Sequence, residues 1–212
     1  MTKAVLLDAL GTLVELEPPW LHLAAARGIE PDERVRAAFG AEMALYRGHA
    51  HEAVDAESLA ALRSRCAELL SRELGFAVTP AEMMAAIRFR AYPDAAPALA
   101  RLRELGLTLV CVSNWDYALP GVLDRCALGR SLDAVVTSAG AGARKPDPAI
   151  FARALELAGC RPDEALHVGD TPEEDIAGAA AAGIPALLLD RGGDGGGDGV
   201  GSLAEIEQHL RP

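Results

Sequence analysis

The chain has 212 residues, enough for one α/β domain that carries a smaller inserted domain. Half of the residues are hydrophobic and only 4% are aromatic, so aliphatic side chains must fill the core. The formal net charge of −11 argues against nucleic acid or an anionic membrane as a general partner. We interpret this charge as a solubility feature.

Cysteine spacing and the absence of a targeting signal favour a cytoplasmic protein. The four cysteines form no CxxC pair, which indicates reduced thiols and not a disulfide framework or a zinc site: Cys66, Cys111, Cys126 and Cys160. The sequence enters an apolar strand without a basic-then-apolar signal segment, and no apolar run is long enough to cross a bilayer.

Apolar runs alternate with helical patterns along most of the chain. Strand-like runs occupy residues 4–8, 107–112, 133–137, 165–168 and 185–190. Such alternation is typical of βαβ units, and it predicts a doubly wound parallel sheet with helices on both faces. One helix is expected from an N-cap at Asp94 to Gly106. A second is expected over 148–158, with four apolar side chains facing the sheet: Ile150, Phe151, Leu155 and Leu157. A third is expected after a capping box formed by Ser202 and Glu205. The glycine- and aspartate-rich run 192–201 lacks the Lys and Ser/Thr of a phosphate-binding loop, so we expect a flexible surface loop.

Residues 15–90 interrupt this alternation with helical patterns and no convincing strand. Leucines and one cysteine recur at helical spacing between 59 and 70, and Gly75 is a suitable helix end. Thr79, Pro80 and Glu82 form the start signal of another helix. We therefore predict a core domain made of 1–14 and 91–212, and an all-helical cap domain over 15–90.

Four strand ends or loops bring polar residues to one edge of the predicted sheet. Asp8 ends the first strand, and Gly11 and Thr12 follow in a turn; Ser113 and Asn114 end the second motif; Lys145 follows a glycine-rich turn; Gly169 and Asp170 end the last motif, with Asp175 five residues later. Ligands of open α/β sheets bind at the carboxyl edge of the strands, so we expect these groups to meet there.

Lys145 is unusual within this composition. Of the 20 basic residues, only Lys3 and Lys145 are lysines, and all others are arginines. Arginine and lysine are not interchangeable at a crowded anionic site. The sequence therefore indicates that a compact ammonium group is needed at position 145.

The order and chemistry of these four motifs resemble the haloacid dehalogenase superfamily of hydrolases over nearly the whole chain. The resemblance implies that Asp8 is a nucleophile and that Mg²⁺ is held by Asp8, the Leu10 backbone carbonyl and Asp170. It also implies a helical cap that closes over a small phosphorylated substrate. In such a site the remaining polar residues bind phosphoryl oxygens or support the metal and the nucleophile: Thr12, Ser113, Asn114, Lys145 and Asp175.

Leu10 departs from the pattern of the phosphatases in this superfamily. They usually carry a second aspartate there, which protonates the leaving oxygen and later activates water. Leucine can do neither, so we expect slow turnover of alkyl phosphates unless a cap residue such as His22, or water, substitutes. Acyl or aryl phosphates suit such a site best.

Three alternatives to a phosphatase follow from Leu10. A 2-haloacid dehalogenase explains Leu10, but it leaves Asp170 as an uncompensated anion beside the nucleophile. A phosphonate-cleaving enzyme needs a cap lysine, and residues 15–90 contain none. A binding protein on an inactive hydrolase scaffold is the third alternative; Leu10 favours it, and the otherwise complete set of motif residues opposes it. We expect a Mg²⁺-dependent phosphatase.

Overall fold

The computed structural model describes residues 1–192 and 199–211. Most of the glycine-rich run that was predicted to be a loop, residues 193–198, therefore lies outside the described residues. Within the described part of the chain, no helix combines the length and apolarity needed to cross a lipid bilayer. All four cysteines are free, and Cys66 and Cys111 are buried.

The described residues form two sheets. The strands are β1 (Ala4–Leu7), β2 (Val14–Leu16), β3 (Phe89–Ala91), β4 (Thr108–Ser113), β5 (Ala134–Thr137), β6 (Ala165–Gly169) and β7 (Ala186–Leu188). Five of them form a parallel sheet in the order β5-β4-β1-β6-β7, which confirms the predicted α/β class. β1 lies at its centre, where both neighbouring strands exclude water from the backbone.

Helices cover both faces of the five-stranded sheet. The α-helices are α1 (Pro19–Arg27), α2 (Glu33–His49), α3 (Ala56–Leu74), α4 (Pro80–Ala86), α5 (Ala95–Glu104), α6 (Leu119–Arg125), α7 (Ser138–Ala141), α8 (Pro148–Ala158) and α9 (Ala177–Ala181). Successive β1 residues point to opposite faces. Val5 and Leu7 pack in one apolar cluster with α5 and α6, whereas Leu6 packs in another with α8 and α9.

The four helices α1 to α4 have a hydrophobic cluster of their own, centred on buried residues such as Leu62, Cys66 and Leu70. The predicted start of α4 is confirmed, because Thr79 and Glu82 exchange hydrogen bonds in a capping box. Gly75 ends α3 with φ +74°, a conformation that glycine adopts without steric cost.

The expectation of no strand between residues 15 and 90 was wrong. β2 and β3 form a short antiparallel pair in which Glu15 lies opposite Arg90, and their side chains form an ion pair at 2.7 Å. Three-residue strands are too short for a detectable alternation, so only the tertiary contact defines them. The pair lies across both predicted domain boundaries, and the division into 1–14, 15–90 and 91–212 stays a prediction.

Three finer helix predictions also need correction. Asp94 is at the N-cap of α5, but its carboxylate accepts hydrogen bonds from Arg191, Ser202 and the Leu203 backbone instead of capping the helix. Leu157 is exposed, because it lies on the outer side of α8. The terminal segment Leu203–His209 is a 3₁₀ helix, and its Glu205 accepts from Gly201 N instead of completing a capping box with Ser202.

Candidate active site

The register of the sheet brings the predicted motif residues to its carboxyl edge. Leu7 pairs with Cys111 of β4 and with Val168 of β6, so the residue after β1 lies level with both strand ends. The Asp8 amide donates to the Val168 carbonyl at 2.9 Å and fixes this position. Asp8 is 5% exposed and the Ser113 hydroxyl donates to its Oδ1 at 3.0 Å.

Lys145 is the centre of the buried charge network. Its Nζ donates to Asp8 Oδ1 at 2.6 Å and to Asp175 Oδ1 at 2.5 Å, and the side chain is 1% exposed. Burial alone would lower the pKa of Lys145, but the charges of Asp8 and Asp175 outweigh burial and raise it. The lysine therefore stays charged, and it joins the nucleophile candidate to the last motif.

Asn114 positions this lysine through the backbone. Its Oδ1 accepts from the Lys145 amide at 2.7 Å, and its Nδ2 donates to the Lys145 carbonyl at 3.0 Å. The Oδ1 atom and one of the two Nδ2 protons are thus used within the protein, and they hold the loop that carries Lys145. Donation from Asn114 to phosphoryl oxygens stays a prediction.

His167 is a site residue that the sequence reasoning missed. It lies on β6, fully buried, and its Nε2 donates to Asp175 Oδ1 at 2.9 Å. Burial lowers the pKa of His167, so the ring is neutral and serves as a hydrogen-bond donor. A histidine inside an otherwise apolar strand run, Ala165 to Gly169, was the available signal.

The three aspartates differ in their tendency to ionise. Burial raises the pKa of Asp8 to about 6, against the opposing charge of Lys145 and with a further increase from the negative charge of Asp175. Burial and Asp175 also raise the pKa of Asp170. For Asp175, burial is outweighed by the hydrogen bond from His167 and the charge of Lys145, so its pKa is lowered. The single positive charge of Lys145 thus neutralises only part of the negative charge that the three neighbouring carboxyl groups would carry when ionised.

Two glycines permit the close packing of these carboxylates. A Cβ on Gly11, which has φ +89°, would lie 1.9 Å from Asp170 Oδ2. A Cβ on Gly169 would lie 2.1 Å from the Asp175 carboxyl carbon. Side chains at either position would displace a carboxylate, which explains why both motifs contain glycine.

The free oxygen atoms at the site fit a hard divalent cation. Oxygens of Asp8, Asp170 and Asp175 lie within 4.8 Å of one another. Asp175 is fully used, since Oδ1 accepts from Lys145 and His167 and Oδ2 accepts from Thr171 N. By contrast, Asp8 Oδ2, Asp170 Oδ2 and the Leu10 carbonyl accept no hydrogen bond from the described residues. Mg²⁺ prefers such a set of one or two carboxylates with further oxygens.

Thr12 does not contact the carboxylates through a hydrogen bond. Its hydroxyl is buried and has no partner among the described residues, whereas its carbonyl accepts from Arg191 at 2.7 Å. Arg191 also donates to the Gly11 carbonyl at 3.1 Å, and its guanidinium lies 3.8 Å from the centre of the Tyr92 ring. Sequence reasoning missed Arg191, which holds the loop after Asp8 from a position 180 residues away.

A cavity of about 700 Å³ opens above the carboxylates. Asp8, Leu10 and Asp170 line it, together with residues of α2, α3 and α4. Trp115 lines it while packing against Phe89, with 5.1 Å between ring centres. His22, a candidate proton donor, does not line this cavity, because its ring is paired with Glu17 at 2.9 Å outside it.

The sequence of this chain matches the family model of haloacid dehalogenase-like hydrolases over residues 2–183. The chain belongs to this family. The hydrolase is 40% identical over 97 residues to haloacid dehalogenase-like hydrolase domain-containing protein 3 of Xenopus laevis, a match over 46% of this chain and 40% of the relative. It is 38% identical over 109 residues to a phosphoserine phosphatase of Thermus thermophilus, over 50% and 43% of the two chains. The hydrolase thus spans less than half the length of these two curated relatives.

Solved structures share the whole fold. A phosphatase of this family from Thermococcus onnurineus is 25% identical, with a TM-score of 0.69 over 98% of this chain and 97% of the other. L-2-haloacid dehalogenase from Xanthobacter autotrophicus is 22% identical, with a TM-score of 0.77 over 100% of both chains. The second likeness concerns the fold alone, so the choice between these chemistries depends on the site of this hydrolase.

Proposed function

We propose that this hydrolase is a Mg²⁺-dependent phosphatase that transfers a phosphoryl group from a small molecule to Asp8 and then to water. The observation that carries the proposal is the set of unpaired oxygens on Asp8, Asp170 and Leu10 beside a single lysine. Phosphatase relatives in the same family support it. The free cysteines agree with a cytoplasmic location, which we propose with it.

The residues of the chain perform distinct tasks in this reaction. The Asp8 carboxylate attacks phosphorus, and the bond from phosphorus to the leaving oxygen breaks, which gives an aspartyl-phosphate. Water then cleaves this acyl phosphate, releases inorganic phosphate and regenerates Asp8. Ser113 and Lys145 hold Asp8 in position and lie where negative charge develops on the phosphoryl oxygens.

Asp175 and His167 act one step further from the substrate. The Asp175 carboxylate accepts from the Lys145 ammonium, and His167 donates to the same carboxylate oxygen. Asp175 therefore holds the lysine that contacts the nucleophile, and His167 holds Asp175. A bound Mg²⁺, held by Asp8, Asp170 and the Leu10 carbonyl, would supply positive charge. That charge would reduce the repulsion between the anionic phosphoryl group and the attacking carboxylate.

Leu10 limits the substrates that this site can process. It lines the cavity and offers no proton to a leaving oxygen. General acid–base assistance is typically worth ~10²–10⁴ in rate, so leaving groups that need no protonation are favoured. We therefore propose acyl or aryl phosphates as the substrates that turn over fastest.

A 2-haloacid dehalogenase is the second candidate, favoured by Leu10 and by the fold likeness to dehalogenases. In that reaction Asp8 attacks carbon and needs no cation. Burial raises the pKa of Asp8 to about 6 even beside the Lys145 ammonium, so without a divalent cation the site disfavours the ionised nucleophile. For this reason we place dehalogenation second.

Phosphate and halide release distinguish the candidates. We expect phosphate from acetyl phosphate and p-nitrophenyl phosphate with Mg²⁺, and none with EDTA or with Asp8→Asn. Glu173→Gln is the matched control, because Glu173 is an exposed acid beside the last motif and has no contact with the charge network. If the protein instead releases halide from 2-chloropropionate and EDTA does not affect the rate, its activity is dehalogenation and not phosphoryl transfer. Inactivity in both assays would favour a binding protein.

A further inference from the structure

Two of the three half-buried arginines in the described part of the chain are paired with an acid. Three arginines in the described part of the chain are half-buried: Arg63, Arg144 and Arg191. Arg191 binds Asp94 and two backbone carbonyls, and Arg144 lies 3.7 Å from Glu174. Arg63 has no hydrogen bond or ion pair with any described residue.

Arg63 faces the same cavity as the nucleophile. It lies on α3, and its side chain lines the cavity of about 700 Å³ together with Asp8. Tyr46, whose hydroxyl donates to Asp116, lines the same cavity. Arg63 is therefore a partly desolvated cation on a helix that lines the same cavity as the reacting carboxylate.

Nearby acids do not neutralise Arg63. Asp116, which the Tyr46 hydroxyl contacts at 2.8 Å, also accepts from the Ala118 amide at 2.7 Å, and it forms no ion pair with Arg63. Glu42 lines the cavity too, but burial raises its pKa, and its side chain contacts the Cys66 thiol. The guanidinium thus keeps its donors free for a group that enters the cavity.

We infer that Arg63 binds a second anionic group of the substrate, a carboxylate or a phosphate, at the end remote from the transferred phosphoryl group. This inference rests on the proposed phosphatase function. The guanidinium presents planar, paired N–H donors that match both kinds of anion. Charge-assisted hydrogen bonds of this kind correspond to about a 10- to 100-fold change in affinity. Arg63 is then a specificity-determining residue, and the preferred substrates are small molecules with two anionic ends.

The test compares aryl phosphates that differ in one remote anion. Phenyl phosphate is compared with 4-carboxyphenyl phosphate and with benzene-1,4-diyl bisphosphate, for kcat/KM with Mg²⁺. We expect the two compounds with a second anionic group to be preferred over phenyl phosphate by about 10- to 100-fold, and Arg63→Met to abolish the preference. Arg63→Lys should restore part of it. Arg72→Met is the control, because Arg72 lies exposed on the same helix, away from this cavity.

Equilibrium binding separates this inference from the phosphatase proposal. Dissociation constants of the same compounds are measured by calorimetry on Asp8→Asn and on Asp8→Asn with Arg63→Met. A binding preference that Arg63→Met removes supports the inference, even if the wild-type protein releases no phosphate and the phosphatase proposal fails. Equal affinities for the three compounds, or a preference that survives Arg63→Met, overturns it. Absence of binding by all three compounds also overturns the inference, whereas the phosphatase proposal is decided separately by phosphate release from the wild-type protein.

Discussion

Replacing Asp8 by asparagine should stabilise the metal-free protein while it abolishes turnover. Burial and Asp175 disfavour the ionised form of Asp8 and raise its pKa from 3.8 to about 6. One pKa unit is equivalent to about 1.4 kcal/mol, so ionised Asp8 costs the folded protein about 3 kcal/mol at pH 7. Asparagine keeps the size of the side chain and removes that charge, and Lys145 retains Asp175 as its partner.

The sign of the pH dependence follows from the raised pKa. Below about pH 3.8 Asp8 is protonated in both the folded and the unfolded chain, so wild type and variant have similar stability. As the pH rises through about 6, the wild type loses stability that the variant keeps. The free energy of unfolding, measured by urea denaturation in EDTA between pH 4.5 and pH 8, should therefore favour Asp8→Asn by a margin that grows up to about pH 6 and then stays at about 1–3 kcal/mol.

Magnesium should reverse this order. A cation bound to Asp8 and Asp170 stabilises the folded wild type by RT ln(1 + [Mg²⁺]/Kd), so the stabilisation grows with the logarithm of the Mg²⁺ concentration above the dissociation constant. Asp8→Asn lacks one of the ligands, so its stability should respond much less. A variant that is less stable than the wild type at pH 7 in EDTA, or a difference that does not change with pH, would refute the electrostatic account of Asp8.

Three further perturbations test separate parts of the site. Leu10→Asp should raise kcat for an alkyl phosphate such as glycerol phosphate by at least about tenfold, because it restores a proton donor. An unchanged steady-state rate would show that another group already protonates the leaving oxygen. Glu42→Gln should stabilise the protein at pH 8 but not near pH 4.5, because burial raises the pKa of Glu42 and the wild type therefore loses stability as the pH rises. Thermal unfolding at both pH values measures this effect, and an equal change of the melting temperature at the two pH values would contradict it. Asp175→Asn should lower the free energy of unfolding by about 3–5 kcal/mol, since it leaves Lys145 and His167 without a shared carboxylate. Asp163→Asn, at an exposed position, is the control in the same urea titration. A loss of stability similar to that of the control would contradict the proposed network.

Local patterns in the sequence determined most of the framework. Apolar runs of four to six residues and capping signals depend on near neighbours, so they predicted the five parallel strands, and α8 was predicted at its observed bounds, Pro148–Ala158. The position of polar residues after those strands placed Asp8, Ser113 and Asp170 at one edge, because parallel strands carry their carboxyl ends together. The scarcity of lysine singled out Lys145, which the structure places against Asp8.

Only the tertiary structure decided which polar atoms are free. Asn114 and Asp175 looked equivalent to other polar site residues in the sequence, yet their atoms are taken up by the Lys145 backbone, the Lys145 ammonium and His167. Arg191 donates to a backbone carbonyl of the loop after Asp8, although it lies near the other end of the chain. Similarly, β2 pairs with β3, which follows it by more than 70 residues. Hydrogen bonds and charges act over a few ångströms of space and not over sequence distance. For that reason the sequence determined the kinds of groups at this site, and the fold alone determined which of them face a substrate.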